Sequence, residues 1–79
     1  MKTIDTDIVR EVMGKQGVKP SMLASKLNIK NNVLSERLGQ KNISITKLNE
    51  MLDVLEHKMI VVPENYVVPE NGFEIDKGE

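Results

Sequence analysis

The run VKPSMLASKLNIKNNVLSERL, residues 18–38, constrains the fold more than any other part of the chain. Leu23, Ala24 and Leu27 recur at helical spacing, and Leu34 and Leu38 lie four apart on one helical face. Between the two apolar sets sit Asn28 and Ile29. Asn tolerates left-handed backbone better than most residues with a side chain, so a helix can stop there and another begin at once. Pro20 suits the first turn of the leading helix, where a missing N–H costs nothing. The trailing helix, read over residues 31–38 and closed by Gly39, turns Asn31, Asn32, Ser35 and Glu36 outward. Two short helices meeting at a tight corner follow from this pattern.

The flanking segments supply two more helices. Asp5 is a good N-cap, with Ile4 and Val9 placed to staple the first helix across it, and Ile8, Val9, Val12 and Met13 form its apolar face. Gly14 weakens that helix, and Gly17 is a natural left-handed terminator. Ser44 reads as the N-cap of a fourth helix with the stripe Ile45, Leu48, Met51, Leu52 and Leu55. After His57 the pattern changes. Residues 58–62, KMIVV, form a β-branched run stopped by Pro63 and read as a short strand. The motif VVPEN occurs at 61–65 and again at 67–71, and Asn71-Gly72 signals a hairpin between Val67-Val68 and residues 73–75. Pro63 and Pro69 confine such strands to edges or break them. The expected fold is therefore mainly α, a compact four-helix domain over residues 1–57. Residues 58–79 follow as a short strand or hairpin with an acidic tail, a candidate dimerisation element.

Seventy-nine residues bury only a modest core, and chains of this size often rely on a partner copy. The absence of cysteine excludes disulfides and thiolate metal sites, and the single His57 cannot form a zinc site alone. It reads as a cation at a helix C-terminus. No apolar run approaches the roughly twenty residues of a membrane span, and the amino terminus MKTIDTDIVR is polar rather than signal-like. A cytoplasmic protein without cofactor or small-molecule ligand is expected. No Ser, Cys or His constellation, glycine-rich phosphate loop or paired carboxylate supports an enzyme.

The formal net charge of −1 conceals a strong asymmetry. Between residues 15 and 47 lie seven basic residues (Lys15, Lys19, Lys26, Lys30, Arg37, Lys41, Lys47) and one acid, Glu36, a local charge of +6. From Pro63 onward five acids (Glu64, Glu70, Glu74, Asp76, Glu79) face only Lys77, a local charge of −4. Such a division hints at one surface for a polyanion and a tail directed elsewhere.

On Leu23-Ala24, Leu27, Ile29 and Leu34, residues 18–55 resemble the phage repressor/Cro-type helix-turn-helix family, also called XRE or lambda-repressor-like. In SERLGQKNISITKLNEMLDVL, residues 35–55, the chain looks like a branch of that family in which a short strand follows the last helix. The chain departs from the family pattern at three points. Asn28 replaces the usual corner glycine, Pro20 stands where a phosphate-binding glutamine is common, and Leu38 rather than Arg37 carries the second apolar position. The resemblance implies a homodimeric transcriptional regulator that reads double-stranded DNA with its second helix. It places Asn31, Asn32, Ser35 and Glu36 toward the bases. Asn can bond adenine N6 and N7, Ser can donate or accept, and Glu can accept from cytosine N4. Lys30, Arg37, Lys41, Asn42 and Lys47 flank that face as phosphate contacts, and Met59, Ile60, Val61 and Val62 are the dimerisation candidates.

Plainer readings stand beside these. Asn31 is either a base reader or the helix N-cap, Glu36 either a base acceptor or a solvated charge, and Lys41-Asn42 either a phosphate contact or a turn. Met13, Met22, Met51 and Met59 read as core or interface filler, and Tyr66 and Phe73 as cover for apolar surface in the tail. The alternative function is a protein-interaction module (antirepressor, adaptor or antitoxin-like) that keeps the fold without strong DNA binding.

Overall fold

A computed structural model describes residues 2–3, 5–40 and 42–75. Four helices carry the fold: α1 (Asp5–Gln16), α2 (Pro20–Leu27), α3 (Asn31–Gly39) and α4 (Ile45–Val54). α1 packs on α3 and α4, and α2 packs on the same two helices. Val9, Val12, Leu23, Leu34, Met51 and Leu55 fill the centre, with Ile8, Met13, Ala24, Leu38, Leu48 and Leu52 around them. Every helix thus contributes the residues that its 3.6-residue period places on one side. Leu27, Ile29, Met59 and Phe73 are partly buried against this nucleus.

Three helices end in the same way. Gly17, Asn28 and Glu56 take positive φ (68°, 57° and 61°), turning the chain through the left-handed region. The residue after each then donates back to the preceding turn: Val18 N–H to Met13 O (2.9 Å), Ile29 N–H to Ala24 O (3.0 Å) and His57 N–H to Leu52 O (2.8 Å). This six-to-one bond satisfies carbonyls that a helix end leaves open. α3 ends differently. Gly39 stays within the helix, and Gln40 continues in extended backbone at φ −86°, ψ 151°.

Helix starts follow the sequence reading with two refinements. Pro20 opens α2, and the Ser44 hydroxyl accepts from Lys47 N–H at 3.2 Å. Asp5 is the first residue of α1 rather than its N-cap, and it is buried: Oδ1 accepts from Thr6 N–H (2.7 Å) and Oδ2 from Ile43 N–H (2.9 Å). Asn31 is the first residue of α3 rather than its N-cap; Lys30 occupies the cap position without a side-chain bond. The proposed Ile4 staple lies outside the described residues. Ile45 departs from the apolar stripe, being 73% exposed at the first position of α4. Met22 is likewise half-exposed.

The carboxy-terminal segment corrects two expectations. Residues 58–62 form no strand: Met59 turns to the core while Ile60, Val61 and Val62 are exposed, and among the described residues no strand lies beside the run. The Asn71-Gly72 hairpin does not form either. A type I′ turn needs positive φ at both central residues, and neither Asn71 nor Gly72 has it. Instead Gly72 N–H bonds to Pro69 O (2.9 Å), matching Tyr66 N–H to Pro63 O (2.9 Å). The duplicated PEN motif thus makes the same turn twice. Past the second turn, β2 (Glu74–Ile75) pairs in parallel with β1 (Lys2–Thr3), a two-stranded contact that the sequence did not signal. The acidic end beyond Ile75 lies outside the described residues.

Candidate nucleic-acid interface

The corner between α2 and α3 spans Asn28, Ile29 and Lys30. Left-handed Asn28 reverses the chain, and Ile29 anchors the bend against the core. Leu34 and Leu38, buried in the nucleus, then fix which side of α3 faces inward. At 3.6 residues per turn, Asn32 and Glu36 must stand opposite those leucines, with Ser35 on the adjoining flank. Asn31, three and seven residues before Leu34 and Leu38, lies along the leucine side and is exposed because it opens the helix. All four are exposed. Among the described residues, none of their side chains has a hydrogen-bond or ion-pair partner. The helix therefore offers two amides, a hydroxyl and a carboxylate with their bonding capacity unspent.

Around this face the basic residues divide. Lys30 is exposed at the start of α3, and Lys47 is exposed in the first turn of α4. Asn42, also exposed, takes left-handed backbone (φ 57°) in the loop between α3 and α4, so its role as turn-former and its place as a surface amide coexist. Lys41 lies outside the described residues. Arg37 is more committed. Its side chain is 17% exposed and Nη1 lies 3.4 Å from Glu50 Oε2 on α4, a long contact that tethers α3 to α4. Lys15, at the end of α1, stands over the Phe73 ring at 5.0 Å from its centroid, a cation–π contact that ties the tail to the helices.

The far end of α3 is held by groups that sequence reasoning did not single out. Arg10 Nη2 donates to Leu38 O at 2.6 Å, and its Nη1 pairs with Asp7 at 3.0 Å. Thr6 Oγ1, on a residue 2% exposed, donates to Gln40 O at 2.9 Å. Asp5 fixes the next loop through Ile43 N–H. Nothing local marks these residues: Thr6 and Arg10 sit between apolar positions of α1 and read as solvated until a partner 34 or 28 residues away is known. On α4, Gln16 Nε2 and His57 Nδ1 both reach Leu55 O at 2.8 Å.

Of the dimerisation candidates, Met59 is turned inward, while Ile60 and Val62 are exposed and Val61 is fully so. Among the described residues no group of three or more His, Asp or Glu side chains could hold a metal ion. Nor is any helix long and apolar enough to cross a membrane. Compared with protein-family models, curated proteins and solved structures, the chain matches none of them.

Proposed function

We propose that this chain is a sequence-specific reader of double-stranded DNA, a helix-turn-helix module of the phage-repressor kind acting as a homodimeric transcriptional regulator. The observation that carries this reading is the exposed set Asn32, Ser35 and Glu36, with Asn31 exposed at the helix start, on a helix whose leucine side is locked into the core; among the described residues none of these side chains has a partner. A single Asn amide on such a face can accept from adenine N6 and donate to adenine N7. Lys30, Asn42 and Lys47 flank that helix and supply phosphate contacts, which set register rather than sequence preference. Arg37, mostly buried and set against Glu50, contributes by bracing α3 rather than as a free phosphate contact.

A single small domain buries little surface on DNA, and two-fold symmetry doubles it. The exposed Ile60, Val61 and Val62 provide an apolar surface for a second copy. Substituting Val61→Lys shifts the dimer toward monomer in light scattering at micromolar concentration while leaving helicity unchanged; an unaltered mass removes this segment from the dimer interface.

One observation favours a second reading, a protein-interaction module that has given up DNA. Two of the cations in the basic region, Arg37 and Lys15, are already engaged within the molecule. Binding to nonspecific duplex across a salt series separates the two. A DNA reader loses affinity steeply and linearly in log salt, with a slope of about −0.9 per phosphate neutralised. An adaptor shows no duplex binding even at low salt.

A further inference from the structure

α3 differs from the other helices in how it ends. α1, α2 and α4 each close with a backbone six-to-one bond past the left-handed residues Gly17, Asn28 and Glu56, although Leu55 O at the end of α4 also accepts from Gln16 on α1. α3 leaves in extended backbone with Gln40 N–H to Arg37 O (3.2 Å) as a local closing bond, and two carbonyls at that end are taken up by α1: Leu38 O by Arg10 at 2.6 Å and Gln40 O, just past the helix, by Thr6 at 2.9 Å. Thr6 and Arg10 lie four residues apart and therefore share one face of α1. A guanidinium is also well placed at the negative end of a helix dipole.

Apolar packing and directional bonds constrain α3 in different ways. Leu34 and Leu38 decide which side is buried, but apolar contacts tolerate small slides and rotations. Hydrogen bonds weaken steeply with angle and distance, so two of them at one end fix the axial position and tilt. Bidentate recognition of a base edge needs that accuracy, whereas contact with the phosphate backbone does not.

We infer that Thr6 and Arg10 are positioning residues that set the pose of α3, and through it the sequence preference of the reading face without touching DNA. The inference rests on the DNA-reading proposal for its consequence, but the clamp itself can be tested without DNA. In the full chain, Thr6→Val and Arg10→Met each speed amide exchange at residues 37–40 roughly fivefold, the factor that one ordinary hydrogen bond sets, and leave α2 and α4 amides unchanged. Arg10→Lys, which keeps a charged donor, restores most of the protection. On a duplex selected by the unaltered chain from a random pool, the same variants lose roughly fivefold in preference over a scrambled duplex, with nonspecific affinity and salt slope preserved.

Exchange that rises equally in every helix, or a preference identical to that of the unaltered chain, overturns the inference. Should Thr6→Val fail to fold, Arg10→Met decides the matter, because that side chain is half-exposed and its loss opens no cavity. If the unaltered chain enriches no duplex, the DNA reading fails while the exchange result still judges the clamp.

Discussion

Single residues in this molecule do work out of proportion to their size where the backbone turns left-handed. Glycine does so freely at position 17, and Asn28 does so at modest cost. Glu56 gains nothing from its side chain there, yet φ is 61°. Glu56→Gly removes the steric penalty of that conformation and, after the added flexibility of the unfolded chain, stabilises by about 0.5–1 kcal/mol, a rise of several degrees in Tm. An unchanged or lower Tm would show that Glu56 does not adopt that backbone in solution. Gly39 tests the opposite geometry. It sits within α3 at ordinary φ, with nothing within 4 Å of where a Cβ would stand. Gly39→Ala therefore gains helix propensity, about 1 kcal/mol in urea unfolding. A loss of similar size would mean that Gly39 terminates the helix in left-handed form, as its position in the sequence suggests.

Among the elements, α3 has one side that holds the fold and another that the proposed function assigns to DNA. Leu34 is fully buried among the helices, so Leu34→Ala costs about 2–5 kcal/mol, enough to leave so small a domain largely unfolded. Asn32, exposed and without a partner among the described residues, behaves oppositely: Asn32→Ala moves stability by no more than about 0.5 kcal/mol and, on the proposed reading, relaxes preference at one base pair by about 1–3 kcal/mol. Chemical denaturation alongside competition binding separates the two effects. Helices of this kind were legible in the sequence because each announces itself locally, through Pro20 and Ser44 at starts, Gly17 and Asn28 at ends, and leucines at fixed spacing between. The tail was not. KMIVV has the composition of a strand, yet a strand exists only where a second one lies alongside, and that depends on where residues 2–3 and 74–75 meet. Asn71-Gly72 departs from its hairpin signal for a related reason: the turn begins at Pro69, and neither residue has the positive φ that such a hairpin requires. The clamp on α3 escaped notice because its bonds join residues about thirty apart, beyond the reach of any local pattern.

At the scale of the whole molecule, four helices enclose one small apolar nucleus, and the tail returns to the amino-terminal strand, with Phe73 packed on the core and Lys15 above its ring. The tail thereby completes the fold instead of trailing from it. Removing residues 58–79 should expose the surface that Met59 and Phe73 cover and lower Tm, as well as weaken self-association. Equal Tm for the shortened and full chains would assign the tail to association alone. The central claim, that the outward side of α3 reads bases, is tested most directly by selecting duplexes from a random pool with the full chain. The account predicts enrichment of one short motif, repeated with two-fold symmetry at half-site centres about 34 Å apart, and loss of one specified position in that motif with Asn32→Ala. Recovery of no common sequence, under low-salt conditions that favour binding, would contradict it.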